Sequence, residues 1–219
     1  MGRKIRYERV FLFLLFVVFL VILVICFFSQ RIKKISVNGN FYLSDQDIIE
    51  SAHLSDYPNA FFTTSRSIRS NLEKNKYIKS ADVKKTVFGS VSIEVVENKP
   101  LLFSSTANKV VLSDGSYVDD YYNVPILIND VDSSIFNDFL DQLSLIDFSV
   151  FSNISEIEYS PNSVDNKLFL FYMNDGNYIY VDLDRFSSVN RYFDIVVNFN
   201  NHKGILYLDS GEYFKILDN

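Results

Sequence analysis

Tryptophan is absent from the chain, histidine occurs twice and cysteine once. The single thiol, Cys26, permits neither an internal disulfide nor a cysteine-based zinc site within one chain. His53 and His202 are the only imidazoles, so nucleophile–base–orienter sets have few candidates. His53 falls near the end of a predicted helix, where a cation suits the helix dipole. His202 falls in the polar loop NFNNHKG, and both read as surface residues. No Walker A, G-x-G-x-x-G, G-x-S-x-G or H-E-x-x-H pattern occurs. Basic charge is scarce beyond the first 34 residues. Those hold Arg3, Lys4, Arg6, Arg9, Arg31, Lys33 and Lys34 against Glu8 alone, a charge of +6. The remaining 14 basic and 26 acidic residues leave the body at −12. Such a body repels phosphate backbones, which argues against nucleic-acid binding.

What is present is, first, an apolar run. Val10–Phe28, VFLFLLFVVFLVILVICFF, is 19 residues without a charge. As a helix it spans roughly 28 Å, close to a bilayer's hydrocarbon thickness of ~30 Å. A helix also satisfies its own backbone groups in lipid. A cleaved signal peptide is the rival reading, but its apolar region is shorter and ends at a small-residue site. FFSQRIKK shows no such site. The run therefore reads as a membrane anchor, preceded by a basic arm at 1–9 and followed by a short tether at 29–34. Four basic residues before the run and three after it set orientation only weakly.

Residues 35–103 read as a compact α+β unit. Ile35 and Val37 alternate with polar neighbours, the period of a half-buried strand. Ser44 and Asp47 have capping-box spacing before a short helix carrying Ile48, Ile49 and Ala52. Thr63, Thr64 or Ser65 can cap a second helix with Ile68 and Leu72 buried. Two strands follow, with Ala81, Val83 and Val87 in one and Val91, Ile93 and Val95 in the other, turning at Phe88-Gly89-Ser90. The order is strand, helix, helix, strand, strand.

Residues 104–219 are richer in strands. Asp114-Gly115 and Asn174-Asp175-Gly176-Asn177 separate apolar runs and predict hairpins. Ile135, Phe136, Phe139, Leu140 and Leu143 form one helical stripe. Phe186, Val189, Phe193, Val196 and Val197 form another. The last strands fall at Ile205–Leu208 and Tyr213–Ile216 around the turn Asp209-Ser210-Gly211.

The acids offer little chemistry. Asp182 and Asp184 could be considered as a glycosidase pair, but a solvated surface explains them more simply. INDVDSS supplies Asn129, Asp130 and Asp132 as oxygen ligands yet lacks the glycine and terminal glutamate of an EF-hand. The residues point instead to binding. The 14 tyrosines and 21 phenylalanines suit a core, with a few tyrosines on exposed strands as interface anchors. A final strand is a natural sheet edge, able to accept a partner's strand.

Residues 35–100 also carry a resemblance. ISVNGNFYLSDQDI resembles the opening of a POTRA domain. SIEVVENKPLLF, through Ile93, Val95, Glu97 and Pro100, resembles its ending, with LEKNKYIKSADVKKT similar to the stretch between. An apolar helix, one POTRA domain and a strand-rich domain at 104–219 together look like the FtsQ/DivIB family of bacterial cell-division proteins. LSDGSYV, MNDGNYIYVDLDR and GILYLDSGEYF fit that family's second domain loosely. Two departures are Phe88-Gly89 where the family often has a hairpin proline, and Lys76-Tyr77 in place of the proline before IKSADV. Neither removes a strand.

The resemblance implies a non-enzymatic, single-pass scaffold of the cytoplasmic membrane. Its N-terminus would be cytoplasmic and its body outside, at the division septum. It implies FtsB/DivIC-like and FtsL-like single-pass partners and a link to septal peptidoglycan synthesis. No cofactor, metal, catalytic residue, nucleic acid or small-molecule substrate is expected. The partner-binding positions carried over are Leu206, Tyr207, Leu208, Ser210, Tyr213 and Phe214, with Gly39, Asn40 and Glu97 as markers of the fold. The expected architecture is an α+β chain: transmembrane helix, βααββ POTRA domain, then a strand-rich sheet with two helices. A POTRA module of a membrane protein-assembly or secretion system is the alternative. It would require a following β-barrel, and 104–219 has too few strands for one. An anchored hydrolase would require an acid pair or metal site that the sequence does not offer.

Overall fold

The computed structural model describes residues 7–199 and 202–217, and the chain divides into one unit up to Glu97 and another from Asn98. The basic residues Arg3, Lys4 and Arg6 of the expected arm lie outside the described residues.

The first unit opens with α1, Tyr7–Phe28. Its window Val10–Phe28 is apolar on every face and none of it is buried. By length and composition this helix can cross a membrane. The chain continues through β1 (Lys34–Asn38), α2 (Asp45–Ser51), α3 (Ser65–Leu72), β2 (Ile78–Lys85) and β3 (Ser90–Glu97). The three strands form a sheet in the order β1-β3-β2, with β1 parallel and β2 antiparallel to β3. Helices of seven and eight residues are too short to persist alone. They are held by capping and by docking. Ser44 and Asp47 close a reciprocal capping box on α2, and Thr64 with Ser67 closes one on α3. Ile48, Leu54, Ile68, Leu72 and Ile93 are fully buried together, each contributing about 1.5–3 kcal/mol by transfer from water.

The turn after β1 depends on Gly39. Its φ of +84° lies in the left-handed region. A Cβ there would overlap the backbone carbonyl oxygen of Val95 on β3. Beyond Asn40, the three successive amides of Phe41, Tyr42 and Leu43 all donate to the Glu97 carboxylate at 2.8, 2.8 and 2.9 Å. Asn40 Nδ2 donates to the Leu43 carbonyl at 2.9 Å and to Asp45 at 3.0 Å. One acid at the end of β3 thereby gathers the loop that feeds α2.

Residues 29–34 differ from a free tether. Ile32 is buried in the unit's core and its N–H donates to the Pro58 carbonyl at 3.0 Å. Gln30 O accepts from Ala60 N at 2.7 Å, and Gly89 O accepts from Lys33 N at 2.8 Å. The apolar side chain of Ile32 explains the docking: left in water it would forfeit its transfer free energy.

The second unit is a nine-stranded sheet in the order β12-β11-β10-β9-β8-β7-β4-β5-β6. Its strands are β4 (Pro100–Ser104), β5 (Lys109–Leu112), β6 (Tyr117–Val118), β7 (Ile126–Leu127), β8 (Ile154–Tyr159), β9 (Leu168–Met173), β10 (Tyr178–Asp182), β11 (Gly204–Tyr207) and β12 (Tyr213–Ile216). Helices α4 (Phe136–Ser144), α5 (Phe148–Phe151) and α6 (Tyr192–Val196) accompany it, with a 3-10 segment at Leu183–Arg191. Phe139 of α4 stacks on Phe169 of β9 at 4.8 Å. Phe186 meets Phe139, Phe169 and Phe171 edge-on at 6.1, 5.3 and 5.1 Å. This aromatic block fills the core.

The α+β class and the βααββ order stand as read from the sequence. Two details differ. The expected first-domain limit of 103 runs past Glu97, because β4 pairs with β5 and β7 and buries Leu101 and Leu102 in the second core. The expected helix over Phe186–Val197 is a 3-10 segment followed by one short α-helix. Its buried residues Leu183, Phe186, Val189 and Tyr192 recur every three positions, the 3-10 period. Phe193 and Val197 face solvent instead.

Candidate partner-binding edge

Strand β12 ends one side of the large sheet. It pairs antiparallel with β11, which runs parallel to β10. Leu217 N donates to Lys203 O at 2.9 Å, so the position opposite each other at 203 and 217 is a hydrogen-bonded pair. Antiparallel bonding alternates. Lys215 and Tyr213 therefore turn their backbone groups to β11, and Phe214 and Ile216 turn theirs outward. The outward N–H and C=O groups are what an added strand would use.

The six expected residues separate onto two faces. Leu206 and Leu208 are completely buried, and Phe214 is half-buried against the same core. Gly204 permits that packing, since a Cβ there would lie 2.6 Å from the Phe214 ring. Their side chains shape the edge from behind. Ser210 lies exposed in the turn between the strands. Tyr207 and Tyr213 stand on the outer face and stack at 4.6 Å.

That stack continues. Tyr207 stacks on Tyr180 at 5.6 Å, and Tyr172 meets Tyr178 edge-on at 5.4 Å. All are directly cross-strand pairs: Tyr172 with Tyr178, Tyr180 with Tyr207, Tyr207 with Tyr213. The outer face thus carries a five-tyrosine surface leading to the edge. The alternation Y-I-Y at Tyr178–Tyr180 was the available sequence signal for it; Tyr172 could be placed only once the β9–β10 register was known. Tyr172 Oη donates to Glu158 at 2.7 Å, and that bond, then burial, pushes its pKa up to about 12.

A buried polar knot positions β11. Tyr192 Oη donates to Asp175 at 2.6 Å, and Asn177 Nδ2 donates to Tyr192 Oη at 2.8 Å. Asn177 Oδ1 accepts from Gly204 N at 2.9 Å. The β9–β10 turn is thus tied to α6 and to the first residue of β11. Burial, and secondarily the Asp175 bond, raise the Tyr192 pKa. A raised folded-state pKa gives stability that is complete below the unfolded tyrosine value of ~10 and is lost as pH rises through the folded one. The melting temperature of the full chain is expected to fall as pH is raised above about 10. Tyr192→Phe should flatten that decline, and an unchanged alkaline slope in this variant would contradict the assignment.

The other candidate sites serve structure. Asp182 caps the 3-10 segment through Asp184 N at 2.7 Å, and Asp184 pairs with Lys167 at 3.0 Å. Asp132 holds Ser134, Asp130 accepts from Thr106, and Asn129 bridges to the Tyr159 backbone. Among the described residues no group of three or more His, Cys, Asp or Glu is placed to hold a metal ion. His53 and His202 are exposed.

A family model described as the FtsQ-type POTRA domain matches residues 30–98. Residues 30–98 form an FtsQ-type POTRA domain. The POTRA match begins at residue 30, where the docked junction also begins. Over most of its length the chain is similar to cell-division proteins named DivIB, which bears out the family resemblance. It is 25% identical to DivIB of Bacillus subtilis (84% of this chain, 74% of that one). It is 27% identical to those of Bacillus cytotoxicus (86% and 77%) and Listeria monocytogenes (84% and 72%). Among solved structures, the chain is similar to the major extracytoplasmic domain of the trans isomer of the cell division protein DivIB from Geobacillus stearothermophilus. It shares 19% identity and a TM-score of 0.40 over 48% of this chain and 95% of that one.

Proposed function

We propose that the chain is a membrane-anchored, non-enzymatic scaffold of bacterial cell division. Its apolar helix α1 spans the cytoplasmic membrane once, with the N-terminus inside and the POTRA domain and the second unit outside, at the division septum. It binds FtsB/DivIC-like and FtsL-like single-pass partners and helps couple their assembly to septal peptidoglycan synthesis. The similarity to DivIB proteins supports the cell-division role. The observation that carries the binding mode is the edge strand β12 beside the tyrosine surface. A partner segment adds as a strand along Phe214 and Ile216, and Tyr207 and Tyr213 anchor its side chains. Tyrosine suits that task, having large area and few rotors to fix.

The test is association of the purified full chain with DivIC-like and FtsL-like partners. Tyr213→Lys is expected to weaken binding at least tenfold, or about 1.4 kcal/mol. Ile216→Pro deletes one outward N–H without touching the β11 ladder, as edge prolines do, and is expected to weaken it comparably. Val164→Lys, 94% exposed in the β8–β9 loop, serves as control. Failure of the wild-type chain to associate, or unchanged binding by both edge variants, would sink the proposed edge.

A further inference from the structure

The first unit shows four large apolar side chains to solvent beside the end of α1. Phe62, Val87 and Phe88 are 72%, 73% and 81% exposed, and Phe61 about half so. They are set at the depth where the helix ends. The Phe61 ring lies 4.1 Å from Phe28 and 6.3 Å from Phe27, and Phe62 lies 5.6 Å from Phe61. Asn59 fixes this loop to the helix by donating to the Phe28 carbonyl at 2.7 Å. The β2–β3 hairpin reaches the same level from another side. Its Gly89 carbonyl accepts from Lys33 N at 2.8 Å, and Val87 shares a cleft with Phe27 and Phe61. Lys85 Nζ donates to the carbonyls of Ala60 and Thr63 and so ties the two loops together.

Two loops thus ring the helix exit with exposed apolar side chains, and their rigid hydrogen bonding holds them there. Arg31 and Lys33 are exposed beside them, a charge pattern suited to lipid phosphates. An apolar patch continuous with a membrane-crossing helix meets the bilayer interface first. We infer that Phe61, Phe62, Val87 and Phe88 form a lipid-inserted rim that seats the POTRA unit on the membrane surface. This rests on the reading of α1 as a membrane span. The far end of β1 supplies the contrast: Phe41 is 84% exposed but follows a strand running away from the junction.

The absence of tryptophan makes the test direct. Single-tryptophan full-length variants Phe19→Trp, Phe62→Trp, Phe88→Trp and Phe41→Trp are reconstituted into phosphatidylcholine vesicles carrying spin-labelled lipid. Phe19→Trp is expected to be quenched by deep labels. Phe62→Trp and Phe88→Trp are expected to be quenched by shallow labels, with blue-shifted emission, and Phe41→Trp to behave as in water. Quenching at 62 and 88 no greater than at 41, with 19 still quenched, overturns the rim and leaves the span intact. Loss of quenching at 19 overturns the span and the rim with it. Quenching that needs anionic lipid overturns apolar insertion. A blue shift without lipid quenching that grows with the protein-to-lipid ratio assigns the rim to a second copy instead.

Discussion

Gly39→Ala is expected to cost the POTRA unit about 2–5 kcal/mol, the sum of a left-handed backbone penalty and a backbone overlap that no rotamer relieves. The overlap decides the size. The atom in the way is the Val95 carbonyl oxygen of the central strand β3, which is held by strands on both sides. At roughly 4–8 °C per kcal/mol for a domain of this size, the unit's melting temperature falls by about 10 °C or more. Hydrogen exchange on the full chain should show lost protection across Lys34–Asn38 and Ser90–Glu97. Glu97→Gln keeps one acceptor oxygen for the Phe41–Leu43 amides and should lose less. Wild-type protection in Gly39→Ala would refute the steric account.

Asn177→Ala is expected to lower the stability of the second unit by about 2–4 kcal/mol, because it leaves the buried Gly204 amide unpaired rather than merely removing a bond. The Gly204 amide loses its partner, and the Tyr192 hydroxyl loses one donor while keeping its bond to Asp175. The damage should reach the edge. Gly204 starts β11, and β12 pairs with the described chain through β11. Exchange at Gly204–Ile216 should therefore quicken more than at Leu168–Met173, and partner binding should weaken although Asn177 lies behind the surface. Equal exchange in both segments would contradict this route.

The POTRA unit was legible because its signals are local. Alternation at Ile35 and Val37, the Ser44–Asp47 box and the Val91–Val95 strand each sit within a few residues. The second unit hid three strands. In β8 an irregularity between Ile154 and Glu156 places the buried residues Ile154 and Ile157 three apart, which breaks the two-residue period. In β4 both faces are covered, so Leu101 and Leu102 are adjacent and buried. β7 has only two residues. The edge was legible as a strand but not as faces. Spacing groups Leu206 with Leu208, yet only the packed core shows that both point inward while Tyr207 points out.

The passage from α1 to β1 contains no swivel among its backbone bonds. Ser29 N still donates to Ile25 O, Arg31 bridges to Asn59, and Ile32 and Lys33 are both hydrogen-bonded to the POTRA loops. Helix and sheet are therefore geared together like a crank and its shaft. Turning the helix by one residue of register, about 100°, swings the sheet's heading about the helix axis by the same angle. On the membrane-spanning arrangement proposed above, a protein that grips one side of the helix thereby chooses the compass bearing on which the POTRA surface is shown.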